Sequence, residues 1–471
     1  VTYLRLAFGI GLSLAAGYFV AAILLRQIHA RAWLKQWLGL GTGLGFTSLF
    51  FFIWRLISGP EGRAYFLAEL ALVAGLAFIW LLSRRRIKED ATLGPPSDQA
   101  PLPDGWTWLL NLSLALAALL AGLTFIFGTL VFPHGGWDAW AIWNLAARYL
   151  FAGRTEWRLL FDPALFHSDY PMLLGSSVAR LWTYRSTVDF IAPAVVAFLF
   201  SLATFGLLLT LANLTRGGVA GRLAGLALLG SSTILVIAPT QCADIPLGYY
   251  LLGALGCLSL HQKVPKSGLL VFAGVLLGIG AWTKNEGWLL IIAVLLGWTA
   301  TRVIFDRSYF FTRACLQEAG WLLVGLIPVI VFPLIQKWYL APPNDILAAQ
   351  GAQTLTRMSD STRWLEIGRR FAVMLFSLEP KYSAPLGLLV VLVAVFGIRE
   401  KALSRPEIWT NLLTLGAAIL GYFLVYLISP HNLNWHLSTS LFRLYGQLWP
   451  AAVFTLILLI RLPGETKSDM A

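Results

Sequence analysis

Apolar runs of about 20 residues recur along the whole of this 471-residue chain, and each is continuous rather than alternating. In lipid, backbone N–H and C=O groups find partners only within a helix or a closed barrel. Continuous runs satisfy that rule as helices, whereas barrel strands would alternate. The sequence therefore predicts an all-α polytopic membrane protein. Composition agrees, because 58% of residues are hydrophobic and only 12% are charged, too few to cover a soluble surface. In such a chain the formal charge of +12 sets topology and favours anionic membrane lipids; nucleic acid is not expected as a partner. Cys242, Cys257 and Cys315 are scattered and make no disulfide or metal-site spacing.

The runs predict about thirteen spans, from 3–25 to 446–462. They include 189–213, 221–238, 268–282 and 384–398. Residues 362–378 carry basic groups at one end of a short apolar run, which suits a re-entrant or interfacial helix better than another span. The clearest boundary follows the third span, where Arg84, Arg85, Arg86 and Lys88 precede a Pro-rich linker. That divides the chain into 1–105 (three N-terminal helices and linker), 106–340 (a seven-helix module with a loop at 133–188) and 341–471. A basic linker is expected in the cytoplasm. Alternating from it places the 133–188 loop outside a plasma membrane.

On that topology, ionisable residues from separate segments fall on one face: Asp138, His167, Asp169, Asp244, Lys284, Glu286, Arg357, His431, His436 and Arg443. Such groups are expensive to keep near hydrocarbon. The longest stretch opens PHGGWDAWAIWNLAARYLFAGR and runs on through FHSDYPMLLG. Trp137, Trp140 and Trp143 share one helical side, which an interfacial aromatic belt explains. Asp138 is either a helix cap or a functional carboxylate next to headgroups. In FHSDYP, His167, Asp169 and Tyr170 suit proton handling, metal binding or a hydrogen-bonded loop equally well. Asp244 in QCADIP has capping as its plainest role. Lys284 and Glu286 in WTKNEG suit an ion pair, though a cation at such a turn also suits phosphate. In SPHNLNWHLSTSLFRLYGQLWP, anchoring explains Trp435 and Trp449 but not His431, His436 and Arg443. No nucleotide-binding glycine fingerprint is present.

The elements WDAWAIWNLAAR, ADIP, TKNEG and FHSDYP together resemble the GT-C membrane glycosyltransferases, in the group of protein O-mannosyltransferases and lipid A aminoarabinose transferases. The resemblance covers roughly 106–340. It implies a seven-span module, an outer loop of amphipathic helices over a lipid-facing cavity, and a sugar donor carried on polyprenyl phosphate. It also implies a loop carboxylate acting as base, at Asp138, and a hairpin acid, at Asp244. The chain departs from many members of that group in the three spans expected before the module and in showing no soluble outer domain after it in the sequence as read.

The expected activity is transfer of a sugar, with inversion, to a hydroxyl on a lipid, protein or glycan acceptor at the extracytoplasmic face of a bacterial inner membrane. Asp138 would be the base. Lys284 and Arg443 would bind the donor phosphate, assisted by His431 or His436. Trp137, His167, Asp169, Tyr170, Asp244 and Glu286 would contact substrate. No cofactor is required, and a divalent metal is compatible with the loop carboxylate. A lipid-linked-sugar transporter or a non-catalytic accessory subunit would use the same spans with different polar groups.

Overall fold

The computed structural model describes residues 2–30, 32–59, 62–84, 91–93, 103–376 and 385–463. Arg85, Arg86 and Lys88 of the basic linker lie outside them, as do the last two residues of 362–378.

Among the described residues the regular structure is helical apart from one parallel pair of three-residue strands, β1 (Ile28–Ala30) and β2 (Ala91–Leu93). Three long helices come first: α1 (Thr2–Leu24), α2 (Ala32–Ser58) and α3 (Arg63–Arg84). Next is α4 (Asp104–Val131), none of whose residues is buried, followed by the loop helices α5 (Asn144–Ala152) and α6 (Leu173–Arg185). Then come α7 (Ile191–Leu229), the short α8 (Ser232–Ile237), α9 (Asp244–Lys263), α10 (Ser267–Thr283) and α11 (Glu286–Phe305). The single-turn α12 (Arg307–Phe310) leads into α13 (Arg313–Tyr339). Small helices α14 (Asp345–Ala348), α15 (Ala352–Ser359), α16 (Ser361–Phe376) and α17 (Pro385–Phe396) precede the closing pair, α18 (Pro406–Ile428) and α19 (Leu433–Leu459).

Among the described residues, nine helices are long and apolar enough to cross a membrane, or ten if the bent α8–α9 pair counts as one span. Thirteen exceeds this for three reasons. The helix α10 has only 17 residues, about 26 Å at 1.5 Å per residue and short of a ~30 Å hydrocarbon core. The 384–398 run forms only the 12-residue α17. The two runs at 189–238 fall into the 39-residue α7 and the short α8. Even so, α7 does turn where the break was expected. Gly217 has φ 84°, a left-handed value open to glycine, and a Cβ built at Gly225 would lie 3.2 Å from Leu209 and 3.3 Å from Phe205. The second leg therefore folds back along the first. α16 is not one of the candidate spans, and only Ile367 and Phe371 are buried along it.

The middle of the bundle is α9 and α10. Every residue from Asp244 to His261 is buried, as is almost all of Leu269–Thr283. A helix apolar on all sides belongs in a core, and α9 and α10 are enclosed by α7, α11, α13 and α19. At the α10–α13 crossing the backbones nearly touch: a Cβ on Gly325 would lie 1.9 Å from the Val271 carbonyl oxygen, so only glycine fits.

The three N-terminal helices are pinned to the loop helix α6 by charge as well as packing. Arg180 donates to Glu69 at 2.6 Å, to Ser13 Oγ at 3.0 Å and to the Gly9 carbonyl at 2.8 Å, while Tyr184 donates to Glu69 at 2.7 Å. Arg180 and Glu69 are fully buried. An unpartnered charge there would be costly, so α1, α3 and α6 are held in one arrangement.

Candidate functional site

The loop after α4 turns at Gly135, where φ is 75° and a Cβ would lie 2.5 Å from the Thr240 carbonyl oxygen. Gly136 N–H donates to that same oxygen at 2.9 Å. Gln241 donates to the Pro133 carbonyl at 3.0 Å and accepts from Asn144 at 3.1 Å. These bonds lay the PHGGWD loop on the turn before α9, so Asp138 faces Asp244 although they are far apart in sequence. After Asp138 the chain makes a π-helical turn, Ala139–Trp143, that runs directly into α5. The wider turn separates the three tryptophans: Trp137 and Trp140 are exposed, whereas Trp143 is buried.

Asp138 spends no side-chain hydrogen bond on capping. Its carboxylate accepts from Arg443 Nη1 at 2.5 Å instead, and Arg443 Nε donates to Asp244 Oδ2 at 2.8 Å. Asp244 is not a cap either. Its other oxygen accepts from Lys284 Nζ at 3.2 Å and from Gln447 Nε2 at 2.6 Å, and Lys284 Nζ lies 2.7 Å from Glu286 Oε1. Tyr422 donates to the amide oxygen of Gln447 at 2.9 Å. The result is one chain of charge, Asp138–Arg443–Asp244–Lys284–Glu286, joining the loop to α9, α11 and α19. Its centre is dry, with Asp244 at 0% side-chain exposure, and its ends are wetter, with Asp138 at 27% and Glu286 at 21%. Three acids against two bases leave it one net negative charge when all are ionised. Burial alone would lower the Lys284 pKa, but Asp244 and Glu286 raise it above the usual lysine value, so the ammonium stays charged.

A second cluster adjoins the first through the TKNEG turn. Asn285, between Lys284 and Glu286, donates to Asp169 at 2.7 Å. Lys337 at the end of α13 pairs with Asp169 at 2.9 Å, and Asn344 donates to it at 3.0 Å. Burial pushes the Asp169 carboxyl up, but Lys337 and the three donors outweigh it and hold the carboxyl below its ordinary value. Tyr170 stacks on His167 with ring centres 4.5 Å apart and on Trp143 at 5.3 Å, and its carbonyl accepts from Gln336 at 2.7 Å. Trp137 meets Phe166 edge-on at 5.3 Å.

The histidines form a third patch, distinct from Arg443. His431 precedes α19, whose N-cap is Asn432, and lies 2.9 Å from Asp345. His436 shares a hydrogen bond of 3.0 Å with Ser429 and packs on Tyr426. Arg443, two turns along α19, is turned toward Asp138 and Asp244. Arg357 and Arg363 cap the end of α18, donating to the Ile428 carbonyl and to the Tyr426 and Ser429 carbonyls.

Five residues were not picked out from sequence: Gln447, Tyr422, Asn285, Asn344 and Lys337. Gln447 carried a usable signal, since it lies four residues after Arg443 on the same helical face. Lys337 carried none, because its position beside Asp169 depends on how α13 packs. Among the described residues no group of three or more His, Cys, Asp or Glu is arranged to hold a metal. A cavity of about 420 Å³ is walled by Trp140, Trp182 and Phe190 and reached by Arg148 and His134. No protein-family model, curated protein or solved structure matches the chain.

Proposed function

We propose that this membrane protein is a glycosyltransferase of the GT-C type, moving one sugar from a polyprenyl-phosphate donor to an acceptor hydroxyl on the extracytoplasmic side of a bacterial membrane. The observation that carries the reading is Asp138. Its carboxylate sits in the first long loop, partly open to the surroundings, free of any capping duty and held by a guanidinium rooted in the bundle. A general base needs that combination of access and fixed aim.

In the proposed reaction the acceptor hydroxyl attacks the anomeric carbon from the face opposite the phosphate. The new C–O bond forms as the bond from the anomeric carbon to the phosphate oxygen breaks. That electron pair leaves on the lipid phosphate, and Asp138 takes the hydroxyl proton. Arg443 aims Asp138, and with a side chain 15% exposed against 7% for Lys284, it is the one a donor phosphate reaches first. Lys284, enclosed by Asp244 and Glu286, fixes those acids. Asp169, Tyr170 and His167 form the adjoining wall for the sugar.

A second reading is a structural clamp in a non-catalytic membrane subunit, favoured by the complete burial of Asp244 among Arg443, Lys284 and Gln447. The two separate on one assay. The purified chain, given a radiolabelled polyprenyl-phosphate sugar and membrane extract as acceptor, should release free polyprenyl phosphate and label the extract. A clamp would do neither.

A further inference from the structure

We propose that the 420 Å³ cavity beside Trp140 is a separate binding site for the phosphate-bearing headgroup of an anionic amphiphile, with Arg148 as its cation. This stands independently of the transfer chemistry.

Charge points to it first. In the Asp138–Glu286 chain each base is already bonded to acids. The cavity is the reverse. Arg148 is exposed, and among the described residues nothing pairs with its guanidinium. The one acid in the lining, Asp189, is spent: one oxygen lies 2.5 Å from Arg185, and the other accepts from the Ile191 and Ala192 amides at the start of α7. Among the described residues the His134 ring meets Phe190 edge to face at 5.5 Å and no polar partner, which leaves its ring nitrogens available as further polar contacts. A guanidinium fork matches phosphate oxygens in geometry as well as charge.

Shape points to the rest of the ligand. The volume suits a headgroup of small-molecule size, and Trp140, Trp182 and Phe190 give aromatic walls with polar groups at few points, as such sites have. The lining includes Pro133, two residues beyond α4, and Pro193 in the first turn of α7. From there an apolar lane runs along these two helices. Phe132 is 64% exposed, Leu130, Phe127 and Phe198 are exposed too, and Phe125 contacts Phe198 at 5.6 Å. A ligand with its phosphate at Arg148 has a hydrocarbon lane directly beside it. A free phosphate would leave both the aromatic walls and that lane unused.

The test is isothermal titration of the purified full chain in a nonionic detergent. Dihexanoylphosphatidylglycerol should bind at least about tenfold more tightly than dihexanoylphosphatidylcholine or glycerol phosphate. Arg148→Gln should erase the preference over dihexanoylphosphatidylcholine, Arg148→Lys should keep part of it, and Arg158→Gln, an exposed arginine outside the cavity lining, should leave it intact. Equal affinity in wild type and Arg148→Gln would overturn the site. So would equal losses in Arg148→Gln and Arg158→Gln, which would mean nonspecific surface charge. Glycerol phosphate binding as tightly as phosphatidylglycerol would overturn the amphiphile.

Discussion

Arg443 and Asp138, 305 positions apart, meet at 2.5 Å, and the same guanidinium holds the fully buried Asp244 on its other side. One side chain of α19 thus fixes the first loop relative to α9. Loop position, buried charge and proposed chemistry all depend on it.

Arg443→Ala should therefore destabilise the protein strongly. Removing one partner of a buried pair strands the other, at a cost of about 3–5 kcal/mol. Asp138→Asn leaves Arg443 its Asp244 contact and should cost about 1 kcal/mol or less. Thermal unfolding in detergent compares the two, and similar losses would show that Asp244 does not depend on Arg443.

Much of this was readable in the chain, and the reasons differ by residue. Apolar runs give helices because lipid leaves the backbone no other partner, so α1–α4, α9, α11, α13 and α18 follow the sequence closely, whereas α19 starts at Leu433, well before the run expected from 446. Asp138, Asp244, Lys284 and Arg443 stood out as charges at the ends of apolar runs. Pairing was not readable. Glu69 and Arg180 lie in separate segments, and only tertiary packing brings them together. Likewise, His431 and His436 were expected beside Arg443 at one phosphate. In the fold Arg443 turns to the loop and α9, while His436 serves Ser429, because different neighbours flank successive turns of α19.

The Arg180–Glu69 pair makes its own prediction. Glu69→Leu or Arg180→Met alone should cost about 3–5 kcal/mol, whereas the double change Glu69→Leu/Arg180→Met should cost clearly less than the sum. A double-mutant cycle on unfolding midpoints measures this. Strict additivity would mean that the pair contributes no coupling.

Asp169 gives a pH dependence with a definite sign. Its folded carboxyl titrates below its unfolded value, so the stability it adds is complete above the unfolded value, about pH 4, and is lost as pH falls through the folded one. The gap in melting temperature between wild type and Asp169→Asn should be constant above about pH 5 and should narrow at more acidic pH. A gap that widens on acidification would refute the Lys337 pairing as its source.

Gly135→Ala should displace the loop. The residue must adopt a left-handed backbone, costing about 1–2 kcal/mol, and its methyl would collide with the Thr240 carbonyl. Faster hydrogen exchange at Gly136–Trp140, with the rest of the bundle unchanged, is the expected readout. Unaltered exchange there would show that the loop does not need this turn.

The central claim is that Asp138 takes the acceptor proton, and the most direct measurement is the single-turnover rate of sugar transfer by Asp138→Asn. The amide keeps the size of the side chain and leaves Arg443 on Asp244, but it cannot accept a proton at neutral pH. Loss of a positioned base costs roughly 10²–10⁴-fold in rate. The account predicts a folded variant that still binds the polyprenyl-phosphate donor and transfers its sugar at least about a hundredfold more slowly. Transfer within a few-fold of wild type by that folded variant would contradict it.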